Sequence, residues 1–107
     1  MQAVLTSSMR EIRNDMAELN SLFEQLDNAD NVQKNAIENE IVSFGEEAID
    51  FLIGKLTGSK GTKRGVAAMS LIRIGECAVR PLRELALANK NFNWVANYII
   101  KEIEGAI

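Results

Sequence analysis

The sequence predicts an all-α protein: a short right-handed α-solenoid of about six helices arranged in pairs. Three observations predict it. A pattern of apolar and glycine positions recurs at a spacing of 30 residues. Within each copy the apolar residues step by three and four, the period of one helix face. A glycine then closes each such stretch, where helices commonly stop.

The repeat is the strongest of the three, because self-similarity at 20–50 residues marks stacked helical units. Gly45-Glu46-Glu47-Ala48-Ile49 returns as Gly75-Glu76-Cys77-Ala78-Val79. Ala36, Ile41, Phe44 and Leu52 map onto Val66, Leu71, Ile74 and Leu82 at the same spacing. A third copy starts at Val95-Ala96 and continues through Ile100 and Ile103, offset by 29 from the second. The chain stops at Ile107, so that copy is incomplete. The organisation expected is one domain over 1–107: an N-terminal capping helix over 1–29 and repeats over 30–107.

Each element then follows in order. Thr6, Ser7 or Ser8 can cap a first helix ending near Asn28. Asp30 or Asn31 can cap a second, ending near Phe44. Ala48, Ile49, Leu52, Ile53 and Leu56 form the face of a third. Gly58-Ser59-Lys60-Gly61-Thr62 reads as a loop, and Val66, Ala67, Ser70, Leu71 and Ile74 as the face of a fourth helix. A fifth begins near Cys77 or Ala78, which puts Pro81 in its first turn, where a missing N–H costs little. The sixth runs from Phe92 to Glu104.

The stretch Arg64-Gly65-Val66-Ala67-Ala68-Met69-Ser70-Leu71-Ile72-Arg73-Ile74-Gly75-Glu76-Cys77-Ala78-Val79-Arg80-Pro81-Leu82 resembles the short HEAT-like repeats of the phycobilin-lyase-subunit type. The shared features are an arginine before an alanine-rich helix, Leu-x-x-Ile-Gly at its end, and Ala-Val-x-Pro-Leu opening the next. The likeness is good over 62–88, fair over 36–57, partial over 94–107 and absent from 1–30. The family pattern often has Asp-Pro after the glycine, where this chain has Glu46-Glu47 and Glu76-Cys77. The resemblance implies the paired-helix fold. That family includes lyase subunits, scaffolds and regulators, so it implies no single activity.

Composition narrows the function. The chain has no histidine, which removes Ser-His-Asp and Cys-His catalysis and His-ligated zinc. No catalytic residue, cofactor or metal is expected, and the chain reads as a non-enzyme. Cys77 is the sole cysteine, so a reducing cytoplasm is the expected location, with the thiol a small buried side chain. Arg10, Glu11, Arg13 and Asp15 interrupt the N-terminus where a signal peptide needs an apolar run. No stretch approaches the ~20 apolar residues of a membrane span. Gly58 to Lys63 does not match the phosphate-loop spacing. Glu46 and Asp50 read as solvated carboxylates rather than a cation site.

Charge is segregated along the chain. Residues 1–54 carry three basic and eleven acidic side chains, whereas residues 55–90 carry eight basic and two acidic. The reading is a scaffold or adaptor that binds a protein, an acidic one in particular, through the second helices of its pairs. Arg80, Arg83 and Lys90 are the leading contacts, with Lys63, Arg64 and Arg73 at the edge. The bland alternative is two solvated faces of opposite sign. An accessory subunit of a lyase-type enzyme and a nucleic-acid-binding repeat are the rival functions. The acidic total and the lack of aromatics among the cations weigh against nucleic acid.

Two apolar features complete the reading. Leu5, Met9, Ile12, Met16, Leu19, Phe23 and Leu26 form a heptad seam, either a coiled-coil stripe or the buried face of a cap; the cap is favoured. Glu11, Asp15, Glu18 and Glu24 would then face solvent. Trp94 and Tyr98, four apart on a last helix with no successor, predict an exposed aromatic edge and a weak homodimer.

Overall fold

The computed structural model describes residues 15–105, and every regular element among them is helical. Six α-helices are present among these residues: α1 over 15–25, α2 Asn31–Ser43, α3 Ile49–Gly58, α4 Gly61–Ile74, α5 Val79–Ala88 and α6 Asn93–Gly105. The capping residues Thr6, Ser7 and Ser8 and the seam positions Leu5, Met9 and Ile12 lie outside the described residues, as does Ile107.

Local chemistry sets the boundaries. Asp30 accepts from the Gln33 N–H at 2.8 Å, while the Gln33 side chain accepts from the Asp30 N–H at 2.9 Å. This reciprocal capping box satisfies two donors that have no intrahelical partner. Helix α2 ends before Gly45 and α4 before Gly75, which hold φ of 61° and 90°. Those backbone angles favour glycine because other residues crowd their own Cβ there. Each glycine leads into a 3₁₀ turn, Gly45–Ala48 or Glu76–Ala78, and then into the next α-helix. Pro81 is the third residue of α5, within the turn that tolerates it.

Two expectations change. The loop expected between the repeats is shorter, because α4 already begins at Gly61 and only Ser59-Lys60 separates it from α3. The Arg64 Nε donates to the Ser59 carbonyl at 3.1 Å and holds this link. Cys77 is exposed rather than buried. The 3₁₀ turn has three residues per turn. Ala78 therefore points inward, while Glu76 and Cys77 face outward, as Glu46 and Glu47 do one repeat earlier.

The packing alternates. Helix α4 lies against α2 on one side and α6 on the other, and α3 packs against α5. The most extensive contacts join α3 to α4 and α5 to α6. Helix α1 meets α3 through Phe23 and Phe51, whose rings sit edge to face with centroids 5.2 Å apart. The core runs through all of these helices: Leu19, Phe23, Ile41, Leu52, Leu56, Leu71, Leu82 and Ile99 are its largest closed side chains. Of the repeat positions expected inside, Leu52, Leu71 and Leu82 are fully buried and Ile74 is half-buried. Along the heptad seam, Leu19, Phe23 and Leu26 are buried within the fold and Met16 is partly open.

Candidate functional site

The cations of the 55–90 stretch do not form one open patch. The folded chain pairs several of them with carboxylates from other helices. Lys63 on α4 reaches Asp27 at 3.2 Å. Arg73, a helix length further along α4, meets Glu38 of α2 at 2.9 Å. Arg83 on α5 meets Glu104 of α6 at 2.9 Å. Arg64 lies over the Phe92 ring, 5.6 Å from its centroid, in cation–π geometry. Lys55 stands within the same range of two rings, Phe23 at 5.9 Å and Phe51 at 5.3 Å. The opposite signs of the N-terminal and central stretches are thus partly spent inside the molecule, joining helices far apart in sequence.

What stays open is the outer face of α5. The Arg80 side chain is 91% exposed and pairs loosely, at 3.7 Å, with Glu84 of its own helix. Lys90 sits in the 3₁₀ turn Lys90–Phe92 that follows α5, and it is exposed. Between these cations stands Leu87, 88% exposed, the most exposed large apolar side chain among the described residues. Sequence reasoning missed it. The buried stripe of α5 is Val79, Leu82 and Ala86, and Leu87 falls off that stripe at helical period, which was the available signal.

Leu87 borders a shallow cleft of about 310 Å³ between α5 and α6, lined also by Arg83, Ala86, Asn93 and Asn97. The Asn93 amide donates to the Ala86 carbonyl at 3.0 Å, satisfying an acceptor left free near the C-terminal end of α5. Asn97 in turn donates to the Asn93 side-chain oxygen at 3.0 Å. The chain of amides fixes one wall of the cleft, and Arg83 supplies a guanidinium at its rim. Such a site offers an apolar anchor, cationic neighbours and fixed amides.

Trp94 and Tyr98 project from the exposed side of α6, at 69% and 55% exposure, and belong to a different surface. The eight expected partner contacts therefore divide three ways. Arg80 and Lys90 are open around α5, and Arg83 beside them is paired with Glu104 of α6. Lys63, Arg64 and Arg73 are engaged by other elements. Trp94 and Tyr98 stand on α6.

A second, wider cleft of about 640 Å³ lies between the end of α1 and α2, lined by Leu22, Gln25, Asn28, Ala29, Gln33, Ala36, Ile37 and Glu40. It carries no cation, and its Gln33 is already committed to the α2 cap. Glu46 and Asp50 are exposed, as expected of solvated carboxylates. No helix among the described residues is long and apolar enough to cross a membrane. No family model, curated protein or solved structure matches the chain.

Proposed function

We propose that the chain is a non-catalytic scaffold of HEAT-like helix pairs, a short right-handed α-solenoid, that binds an acidic protein segment through the outer face of α5. The reading as a solenoid draws support from the 30-residue repeat and from the alternation of α2, α4 and α6 on one side with α1, α3 and α5 on the other. The unpaired, exposed Cys77 accords with a reducing, cytoplasmic setting.

The observation that carries the binding surface is Leu87, exposed beside the α5–α6 cleft and flanked by Arg83 and Lys90. Protein interfaces concentrate energy in a central apolar anchor with a polar rim around it. The rim here is cationic, and its existing partners are weakly held. Exposed ion pairs are worth about 0.2–1 kcal/mol, so carboxylates of an acidic partner can replace Glu84 and Glu104 with little loss.

The test uses affinity purification from the native cell with three baits: wild type, Leu87→Asp and Arg80→Glu/Arg83→Glu. All three should show the same helical circular dichroism, because the substituted side chains are exposed. A defined protein retained by wild type and lost from both variants is the expected result. A set of captured proteins identical across the three baits would refute the α5 face. Retention on immobilised nucleic acid that collapses with modest salt would favour the nucleic-acid rival instead.

A further inference from the structure

The outward positions of α2, α4 and α6 change character from one helix to the next. At equivalent repeat positions α2 presents Asn35 and Asn39, α4 presents Gly65 and Met69, and α6 presents Trp94 and Tyr98. All six are exposed. Helices α4 and α6 pack against each other, so the apolar members fall on adjacent helices. Met69 is 49% exposed, and the space beside Gly65 is open, with no atom within 4 Å of where a Cβ would stand. Single exposed apolar residues are ordinary, but three together on adjoining helices form a patch.

The charges around that patch identify its occupant. Lys101 and Glu102 are exposed and lie one turn beyond Tyr98 on α6, so they cancel. Arg73 of α4 is tied to Glu38. A neutral surround gives no attraction to a partner of either sign, whereas a two-fold interface sets the same patch of each copy against the other. Trp94 and Glu102 are equally spaced on either side of Tyr98. Antiparallel pairing of two α6 helices centred on Tyr98 therefore sets Trp94 of one copy against Lys101 and Glu102 of the other. Among aromatic rings the indole face is the best partner for a side-chain cation such as the Lys101 ammonium.

We propose that two copies of this chain associate about a two-fold axis through the α4–α6 face, with Trp94 and Tyr98 at its centre and Lys101 of each copy against Trp94 of the other. The size of the patch sets the strength. Aromatic side chains bury about 150–250 Å² when fully covered. Trp94 and Tyr98, already partly covered, supply on the order of 600 Å² across the pair of copies by the same measure. That is about half of the ~1,200 Å² at the low end of stable interfaces. The dimer is accordingly weak, with a Kd of roughly 10 µM to 1 mM.

Trp94 is the only tryptophan, so its fluorescence reports this surface alone. Sedimentation equilibrium and emission spectra should be recorded from about 10 µM to 1 mM, spanning that expected range. The average mass should rise from 11.8 kDa toward twice that value, with a parallel blue shift of the Trp94 emission. Tyr98→Ala should abolish both changes while leaving the circular dichroism unaltered. Lys101→Glu should weaken association several-fold, because it replaces the cation–π contact with an anion. A mass constant at 11.8 kDa throughout would overturn the proposal. So would a dimer that survives Tyr98→Ala and Trp94→Glu, or one lost on Met16→Glu alone, which would place the contact on α1.

Discussion

Two regions of the molecule occupy equivalent places in the repeat and meet different surroundings. Ile53, Leu56, Thr57, Arg64 and Ala68, on α3 and α4, are all buried or half-buried. Their counterparts on α5 and α6 are Arg83, Ala86, Leu87, Asn93 and Asn97, and of these only Ala86 is buried. The first set lies under α5 and α6, whereas no described helix covers the second. The substitutions follow that difference: isoleucine becomes arginine, and alanine becomes asparagine. A surface that meets water cannot keep the apolar residues that the same surface needs between neighbours. Leu87 alone runs the other way, replacing a half-buried threonine with an exposed leucine. That reversal is the observation on which the proposed binding surface rests.

The sharpest way to break this comparison is to truncate one member of each set. Leu56→Ala removes a closed core side chain and should cost about 2–5 kcal/mol in urea unfolding. Leu87→Ala should change stability by less than about 0.5 kcal/mol. Similar losses for both would show that the two regions do not differ in their surroundings as described.

A smaller effect is expected at the helix starts. The first repeat opens with the Asp30 capping box, but Lys60 at the corresponding end of α4 provides no side-chain cap. Asp30→Ala should cost about 1 kcal/mol. Lys60→Asp should gain about 0.5–1 kcal/mol, because Lys60 already has the extended backbone of a capping residue and α4 has no acidic residue in its first turn. Thermal melts of the two variants should therefore move in opposite directions.

The smallest effect belongs to the ion pairs. Arg73→Ala should cost about 0.2–1 kcal/mol and sit toward the upper end, since Glu38 is largely covered. A double-mutant cycle with Glu38→Ala at low salt and at about 1 M salt isolates the pair. A coupling that fails to shrink in salt would mean that packing, not charge, joins α2 to α4.

Much of the fold was legible because its signals are local. Gly45 and Gly75 set the stops, Asp30 set a start, and the three-and-four spacing of Leu71 and its neighbours chose the buried face. Cys77 was misplaced because its position depends on the type of turn, and a 3₁₀ turn has a different period from the helix that follows. The candidate site was less legible. Lys63 and Arg73 look like free cations in sequence, and their partners Asp27 and Glu38 lie 36 and 35 residues away. Only the packing of α4 on its neighbours brings these charges together. Leu87 was missed for the same reason: periodicity says which side of a helix it occupies, but not whether another helix covers that side.

The alternation of the packing also bears on how the chain reaches this state. Among α2 to α6, every extensive contact joins helices no more than two apart in the chain. The entropy lost in closing a loop grows with its length, and here apolar burial begins to offset that loss after short stretches are ordered. Such locality gives low contact order, the topology associated with folding in microseconds to milliseconds. An adjoining trio of helices already contains each kind of contact, so folding can begin at any such trio and grow outward rather than search for distant partners.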